Sequence, residues 1–194
     1  MKEDVLEQIV DDYLQLKGYF TIHNVRFKPS PVHSEFVGDD DRVASDVDVV
    51  GLHPNKIGVD RVWVVSCKSW QQGFDAGRKL RELRGDVRQP KRETWRHFRE
   101  LWIPKWSEAF RAEIEKRTGS SEFRYSIAVT RLIGDGSEWA EDPTIRDNLG
   151  GNPISFLTLS EMWTEYVDAV GTTPQPSEIG RLAQLLKAAG VSAR

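Results

Sequence analysis

The sequence is poor in the residues that build disulfides and structural metal sites. Its 194 residues include one cysteine, Cys67, and four dispersed histidines. A single cysteine excludes an internal disulfide, and no Cys or His cluster has the spacing of zinc ligands. Ser66 has no flanking Gly-x-Ser-x-Gly motif and no histidine partner in the sequence, so a serine nucleophile is not expected either.

Long apolar runs are also missing. No stretch approaches the ~20 residues needed to span a membrane, and the first twenty residues, MKEDVLEQIVDDYLQLKGYF, are acidic and helical where a signal peptide would be basic and then apolar. These absences predict a cytoplasmic protein with no membrane association. Internal repeats and low-complexity tracts are absent from the sequence, and only GTTPQPSE at 171–178 resembles a linker.

The composition predicts a single globular domain over residues 1–194. A chain that is 39% hydrophobic and 29% charged has the balance of a folded globular protein rather than a disordered one. The length suffices for a core that needs no disulfide or metal. We divide the domain into a helix and strand hairpin (1–70), a basic helical region (76–117) and the remaining strands and helices (123–194).

The order of predicted elements indicates the α/β class. Apolar residues at helical spacing predict a first helix ending near Gly18, and strands are expected at 19–27, 43–53, 60–68 and 123–132. The second and third strands are joined by HPNKIG and should form an antiparallel hairpin. Helices interrupted at Pro90 and Pro104 should fill 76–117. A strand leading into a helix capped by Ser160 and a last helix at 177–189 complete a mixed β-sheet flanked by helices.

The alternation of side chains along two neighbouring strands predicts that an aspartate and a lysine lie close together. Side chains two apart share a face of a strand, so Asp46 and Asp48 should lie on one face, with Val47 and Val49 on the other. On the partner strand Ser66 and Lys68 share a face and Cys67 points into the core. Asp48 and Lys68 can then project to the same side, either as a solvated ion pair worth about 0.2–1 kcal/mol or as a catalytic pair.

The first seventy residues resemble the restriction-endonuclease-like, or PD-(D/E)xK, nuclease superfamily. EQIVDDYLQLKGYF, DVDVVG and VSCKSW follow the order of the family's first helix, its central Asp and its Asp/Glu-x-Lys motif. The chain is most similar to Mrr-like and Holliday-junction-resolvase-like members. The resemblance implies a restriction-endonuclease-like fold and Mg²⁺-dependent cleavage of DNA, with Mn²⁺ as an alternative metal.

The resemblance also implies roles for individual residues. Glu7 would supply the carboxylate of the first helix, Asp48 the central metal ligand and Lys68 the catalytic lysine. Cys67 would offer its backbone carbonyl to the metal. Ser66 is a departure, because the family has an acid or sometimes Gln there and serine is a much weaker metal ligand; Asp46 is a candidate substitute and equally an ordinary strand acid.

Positive charge is concentrated after this motif. Residues 78–99 carry nine Lys or Arg against three acids, whereas residues 1–60 carry twelve acids against six bases. Basic side chains neutralise phosphates, so Arg78, Lys79, Arg81 and Arg88 are candidate nucleic-acid contacts. The aromatic residues at 95, 98, 102, 106 and 110 recur at helical spacing and are expected in the core, although exposed aromatics could stack on bases.

Three hypotheses follow from the sequence. The first is a metal-dependent DNA endonuclease with Glu7, Asp48 and Lys68 in its site, assisted by Asp46 or Ser66. The second is a DNA-binding module of the same fold that has lost catalysis at Ser66. The third is a globular interaction protein in which Asp48 and Lys68 form only an ion pair. The sequence leaves a homodimer and the form of DNA substrate open.

Overall fold

The computed structural model describes residues 4–85 and 94–191. It has seven strands and eight α-helices within those residues. The strands are β1 Phe20–Phe27, β2 Ser45–Leu52, β3 Val62–Lys68, β4 Phe74–Asp75, β5 Arg124–Val129, β6 Leu132–Ile133 and β7 Ile154–Thr158. The helices are α1 Val5–Leu16, α2 Ala76–Arg84, α3 Arg99–Trp102, α4 Pro104–Thr118, α5 Ser137–Glu141, α6 Pro143–Asn148, α7 Leu159–Ala169 and α8 Glu178–Ala188, with 3-10 turns at Gly58–Asp60 and Thr94–His97.

The main sheet is mixed and confirms the predicted α/β class. Its five strands lie in the order β1-β2-β3-β5-β7. Strands β1, β2 and β3 are antiparallel neighbours, which confirms the predicted hairpin of β2 and β3, and β3, β5 and β7 run parallel. Because Lys68 pairs with Val129 and Val129 pairs with Thr158, the three parallel strands end together. We call this end of the sheet the carboxyl edge.

Helices cover both faces of the sheet and create two cores. The larger, which we call the first core, receives Val62 and Val64 of β3 and packs against the helices between residues 76 and 149. The second core receives Trp63 and Val65 from the opposite face and packs against α1 and Met162 of α7. The strict alternation along β3 therefore follows from burial on both sides.

The helices begin and end at residues with recognisable capping chemistry. Gly18 follows α1 with φ of 85°, a left-handed conformation that glycine adopts without steric cost. Pro104 opens α4 at its first turn, where the missing N–H costs nothing. The predicted cap at Ser160 is wrong: Thr158 caps α7 in a capping box with Glu161, because its hydroxyl reaches the N3 backbone N–H.

The aromatic stripe lies in the core, as expected. Phe98, Trp106 and Phe110 are fully buried, and Trp95 and Trp102 pack partly buried against the first core. They are spread over a 3-10 turn and two helices rather than one.

Pro90, the predicted helix break, lies outside the described residues, and the short helices α5 and α6 were not predicted. No helix in the described part of the chain combines the length and apolar character needed to cross a membrane.

Candidate active site

Lys68 ends β3 at the carboxyl edge. Alternation directs its side chain to the face of the first core, and its ammonium group lies 5.6 Å from the centre of the Phe98 ring. Nζ also donates a 2.8 Å hydrogen bond to Oγ of Ser66, two residues earlier on the same face. The apolar strand β3 thus ends in a half-buried lysine. Its ammonium group is held by the hydrogen bond to Ser66 and by the contact with the Phe98 ring.

Asp48 reaches the same place from β2. Its Oδ2 accepts a 2.5 Å hydrogen bond from the backbone N–H of Cys67. Burial raises the pKa of Asp48, and the neighbouring Asp46 raises it further, whereas the charge of Lys68 and the hydrogen bonds from Cys67 and Ser66 oppose this rise. The structure therefore brings together the aspartate and lysine that the sequence paired.

The alternation of β2 is broken where Asp48 lies. Val47 belongs to the first core and Val49 to the second, so the prediction that they share a face is wrong. Asn24, in the neighbouring strand, has a left-handed φ of 51°, and the pairing between β1 and β2 passes from His23–Val49 to Val25–Val47. Asp48 itself keeps the regular alternation, because Val50, two residues further along, pairs with Val64 of the first core; the irregularity moves Val47 onto that face. Asp46 lies beyond the break, exposed and opposite Arg26.

Ser66 occupies the centre of the cluster. It is 2% exposed, and besides holding Lys68 its hydroxyl hydrogen-bonds to Asp48 and to the phenol of Tyr125 on β5. A serine beside a lysine is also a known nucleophile–base combination. Because its Oγ accepts the hydrogen bond from Lys68 and is also close to Asp48 and Tyr125, we describe Ser66 as a polar connector between the charged groups.

Glu100 is a site residue that the sequence did not reveal. It lies on α3, is 4% exposed, and accepts a 2.5 Å hydrogen bond from the hydroxyl of Tyr125. Burial raises its pKa; the charge of Lys68 lowers it, and that of Asp48 raises it. Glu100 therefore adds a second carboxylate beside Lys68. Its only signal in the sequence is an acid between the apolar residues Phe98 and Leu101.

Glu7 approaches from the other face of the sheet. It lies half-buried in the first turn of α1, the helix that packs on the second core. Burial raises the pKa of the Cys67 thiol well above its usual value, and the charges of Asp48, Glu7 and Asp4 raise it further. Asp4 also accepts a hydrogen bond from Ser69. The Cys67 side chain points into the second core, as predicted.

The cluster contains oxygen donors of the kind that bind Mg²⁺, but no complete metal site. Within residues 4–85 and 94–191, no three or more His, Cys, Asp or Glu side chains are grouped so as to hold a metal. Mg²⁺ is commonly bound by one or two carboxylates, with waters and substrate phosphates completing its shell. Asp48 and Glu100 provide hard oxygen donors of this type but do not form a complete cage.

The predicted nucleic-acid contacts on α2 are partly engaged within the protein. Arg78 Nε and Lys79 Nζ bond to the buried carboxylate of Glu82 at 2.9 and 2.7 Å, and Lys79 lies over the ring of Trp70. Arg81 is exposed on the same helix, and Arg88 lies outside the described residues. With four bases against one acid, α2 is net positive.

Comparison of the chain with models of protein families, with curated proteins and with solved structures found no match.

Proposed function

We propose that this protein hydrolyses phosphodiester bonds in DNA with a divalent metal ion, as a nuclease of the restriction-endonuclease-like PD-(D/E)xK type. The observation that carries the proposal is the convergence of Asp48 and Glu100 on Lys68, whose Nζ is bonded to Ser66. This cluster lies at the carboxyl edge, where ligands of open α/β sheets generally bind. The location we propose is the cytoplasm.

Asp48 and Glu100 are the side chains that would hold Mg²⁺ or Mn²⁺, with Glu7 and the Cys67 carbonyl as further donors. When bound, the metal supplies positive charge against the charge that develops on the phosphate oxygens. Glu100 thereby takes the part of the acid that Ser66 replaces. The carboxylate reaches the lysine from a helix rather than from the lysine's own strand.

Lys68 would orient the attacking water and stabilise negative charge near it. An ammonium group has three N–H donors, so it can bond to Ser66 and still donate to a water or phosphate oxygen. The hydrogen bond to Ser66 and the contact with Phe98 restrict where Nζ can move. Such positioning reduces the reorganisation needed during the reaction.

The experiment that tests this proposal is the nicking of supercoiled DNA in Mg²⁺ or Mn²⁺. We expect Lys68→Ala and Asp48→Asn each to reduce the nicking rate by at least about 10²-fold, the usual cost of removing one transition-state contact. Lys116→Ala and Asp39→Asn are matched controls on exposed positions and should cleave normally. Circular dichroism and thermal unfolding establish that the four variants are equally folded.

A DNA-binding module without turnover is the second candidate, supported by the lack of a complete group of three ligands among the described residues. It predicts no nicking by the unmodified protein but DNA binding that weakens as salt rises, because bound phosphates release counterions. If neither cleavage nor salt-dependent binding is seen, Asp48 and Lys68 form only an ion pair.

Cutting both strands of a duplex would require two sites, which a homodimer would supply.

A further inference from the structure

A second feature opens at the carboxyl edge. A groove of about 430 Å³ lies where α1, α7 and α8 meet. Its apolar wall includes Ile9, Leu159, Trp163 and Leu182. The volume falls within the range of small-molecule sites, and the candidate active site uses none of these residues.

The groove adjoins the candidate active site through the ends of the parallel strands. Its lining includes Thr130 and Leu159, the residues immediately after β5 and β7. The last residues of these strands are in register with each other and with Lys68. On the α1 side, Asp4 bonds to Ser69, which places the start of the groove beside the residue that follows Lys68. The lysine faces the first core and the groove faces α1. The two therefore lie on opposite faces of the sheet at its carboxyl edge.

The chemistry of the groove differs from that of the active site. None of its lining residues among the described part of the chain is charged, so the groove offers nothing to neutralise a phosphate. Three hydroxyl groups, from Thr130, Ser160 and Thr164, accompany the apolar wall. The indole of Trp163 is half-buried and stacks on Tyr166 with ring centres 6.5 Å apart, which restricts its orientation.

We propose that this groove binds an unpaired nucleobase of the DNA strand whose backbone lies at Lys68. A base is flat, uncharged and apolar on its faces, with hydrogen-bonding groups at its edge, and aromatic side chains bind such faces without regard to sequence. Bases within a duplex are stacked and cannot enter unless they are extruded at an energetic cost. This inference rests on the proposed nuclease function and specifies its substrate as DNA with unpaired nucleotides, such as flaps or gaps.

The test uses a single-stranded oligonucleotide containing 2-aminopurine, whose fluorescence falls when the base stacks on an aromatic ring. Binding is measured with the Lys68→Ala protein in EDTA, so that cleavage cannot contribute. Leu182→Glu and Leu185→Glu form a matched pair: both leucines are exposed on α8, at 47% and 69%, but only Leu182 lines the groove. The added charge is the same in both variants.

We expect Leu182→Glu to weaken binding of the single strand about tenfold or more and to abolish the fluorescence quenching, in line with the loss of one stacked base. Leu185→Glu should leave the binding and the quenching unchanged.

Equal effects of the two variants, with DNA binding retained, would overturn the groove assignment and leave the nuclease proposal intact. No DNA binding by any protein would overturn both. A change in oligomeric state caused only by Leu182→Glu, with quenching unaffected, would overturn the assignment too and show that a second copy covers the groove.

Discussion

Among single residues, Glu100 shows how burial changes the behaviour of a carboxyl group. Desolvation raises its pKa, and the positive charge of Lys68 only partly opposes this effect. The hydroxyl of Tyr125 donates to it, and burial together with the Glu100 charge raises the pKa of that tyrosine well above its usual value. A carboxylate and a phenol thus share one water-poor environment beside the lysine.

A raised pKa means that the folded protein binds a proton at Glu100 more readily than the unfolded chain does. The contribution of this group to stability is therefore full below the unfolded pKa, near 4.5, and is lost as the pH rises toward the folded value. We expect the free energy of unfolding of Glu100→Gln, relative to the unmodified protein, to increase from pH 4 to pH 8. Urea unfolding at each pH measures this difference.

The control for this prediction is Glu115→Gln, which makes the same chemical change at an exposed position on α4. A Glu100→Gln difference that stays flat over the same range would contradict the assignment of a raised pKa to Glu100. The same variant should also lose DNA nicking in Mg²⁺, since glutamine keeps the shape of the side chain but not its charge.

Among the helices, two glycines differ in the space that a side chain would have at each position. Gly77 lies in α2, where a Cβ would meet only the ends of polar side chains, the closest being Arg81 at 3.5 Å. Gly180 lies in α8, where a Cβ would come within 2.6 Å of Gln175 and 2.7 Å of the Tyr166 hydroxyl. Glycine at 180 therefore lets α8 approach α7 closely, whereas glycine at 77 serves no such contact.

Alanine substitution at the two glycines should consequently change stability in opposite directions. Alanine favours the helical backbone over glycine by up to about 1 kcal/mol, so Gly77→Ala should raise the free energy of unfolding. Gly180→Ala gains the same propensity but must displace α8, and we expect a net loss of about 1–3 kcal/mol from overpacking. Urea unfolding of both variants measures the signs; equal stabilisation of the two would show that α8 adjusts without cost.

Across the molecule as a whole, a long connection between β1 and β2 is attached to α4 by one buried carboxylate. Asp41 is 1% exposed and accepts hydrogen bonds from Lys105 Nζ at 2.6 Å, the backbone N–H of Val37 at 2.8 Å and Trp106 Nε1 at 3.1 Å. Burial alone would raise its pKa, but these donors outweigh that effect and hold the pKa below its ordinary value. The connection is thereby tied to a distant helix.

Asp41→Asn should lower the free energy of unfolding at pH 7 by about 1–3 kcal/mol, the cost of leaving buried donors without a charged partner. Because the pKa of Asp41 is lowered, its contribution is present above the unfolded value of 3.8 and is lost as the pH falls through the folded pKa. The deficit should therefore shrink on acidification. Thermal unfolding at pH 7 and pH 3 measures it, with Asp39→Asn, an exposed neighbour, as the control.

The local elements of this protein could be predicted from its amino-acid sequence. Periodicity of apolar residues located α1, the β2–β3 hairpin and the core aromatics Phe98 and Phe110, because burial of these side chains depends mainly on spacing along the chain. The same local information paired Asp48 with Lys68 across one hairpin. It failed at Val47 and Val49, where strict alternation is interrupted beside Asn24, and at the α7 cap, where two neighbouring hydroxyl residues competed.

The distant groups that complete the site became apparent from the tertiary structure alone. Glu100 lies 32 positions after Lys68 in the sequence, and it reaches the lysine because α3 packs over the first core. The groove beside Leu159 exists because α1, α7 and α8 meet at the end of the parallel strands. Spacing along the chain cannot encode these meetings, since they depend on how helices separated by many residues dock on a common sheet.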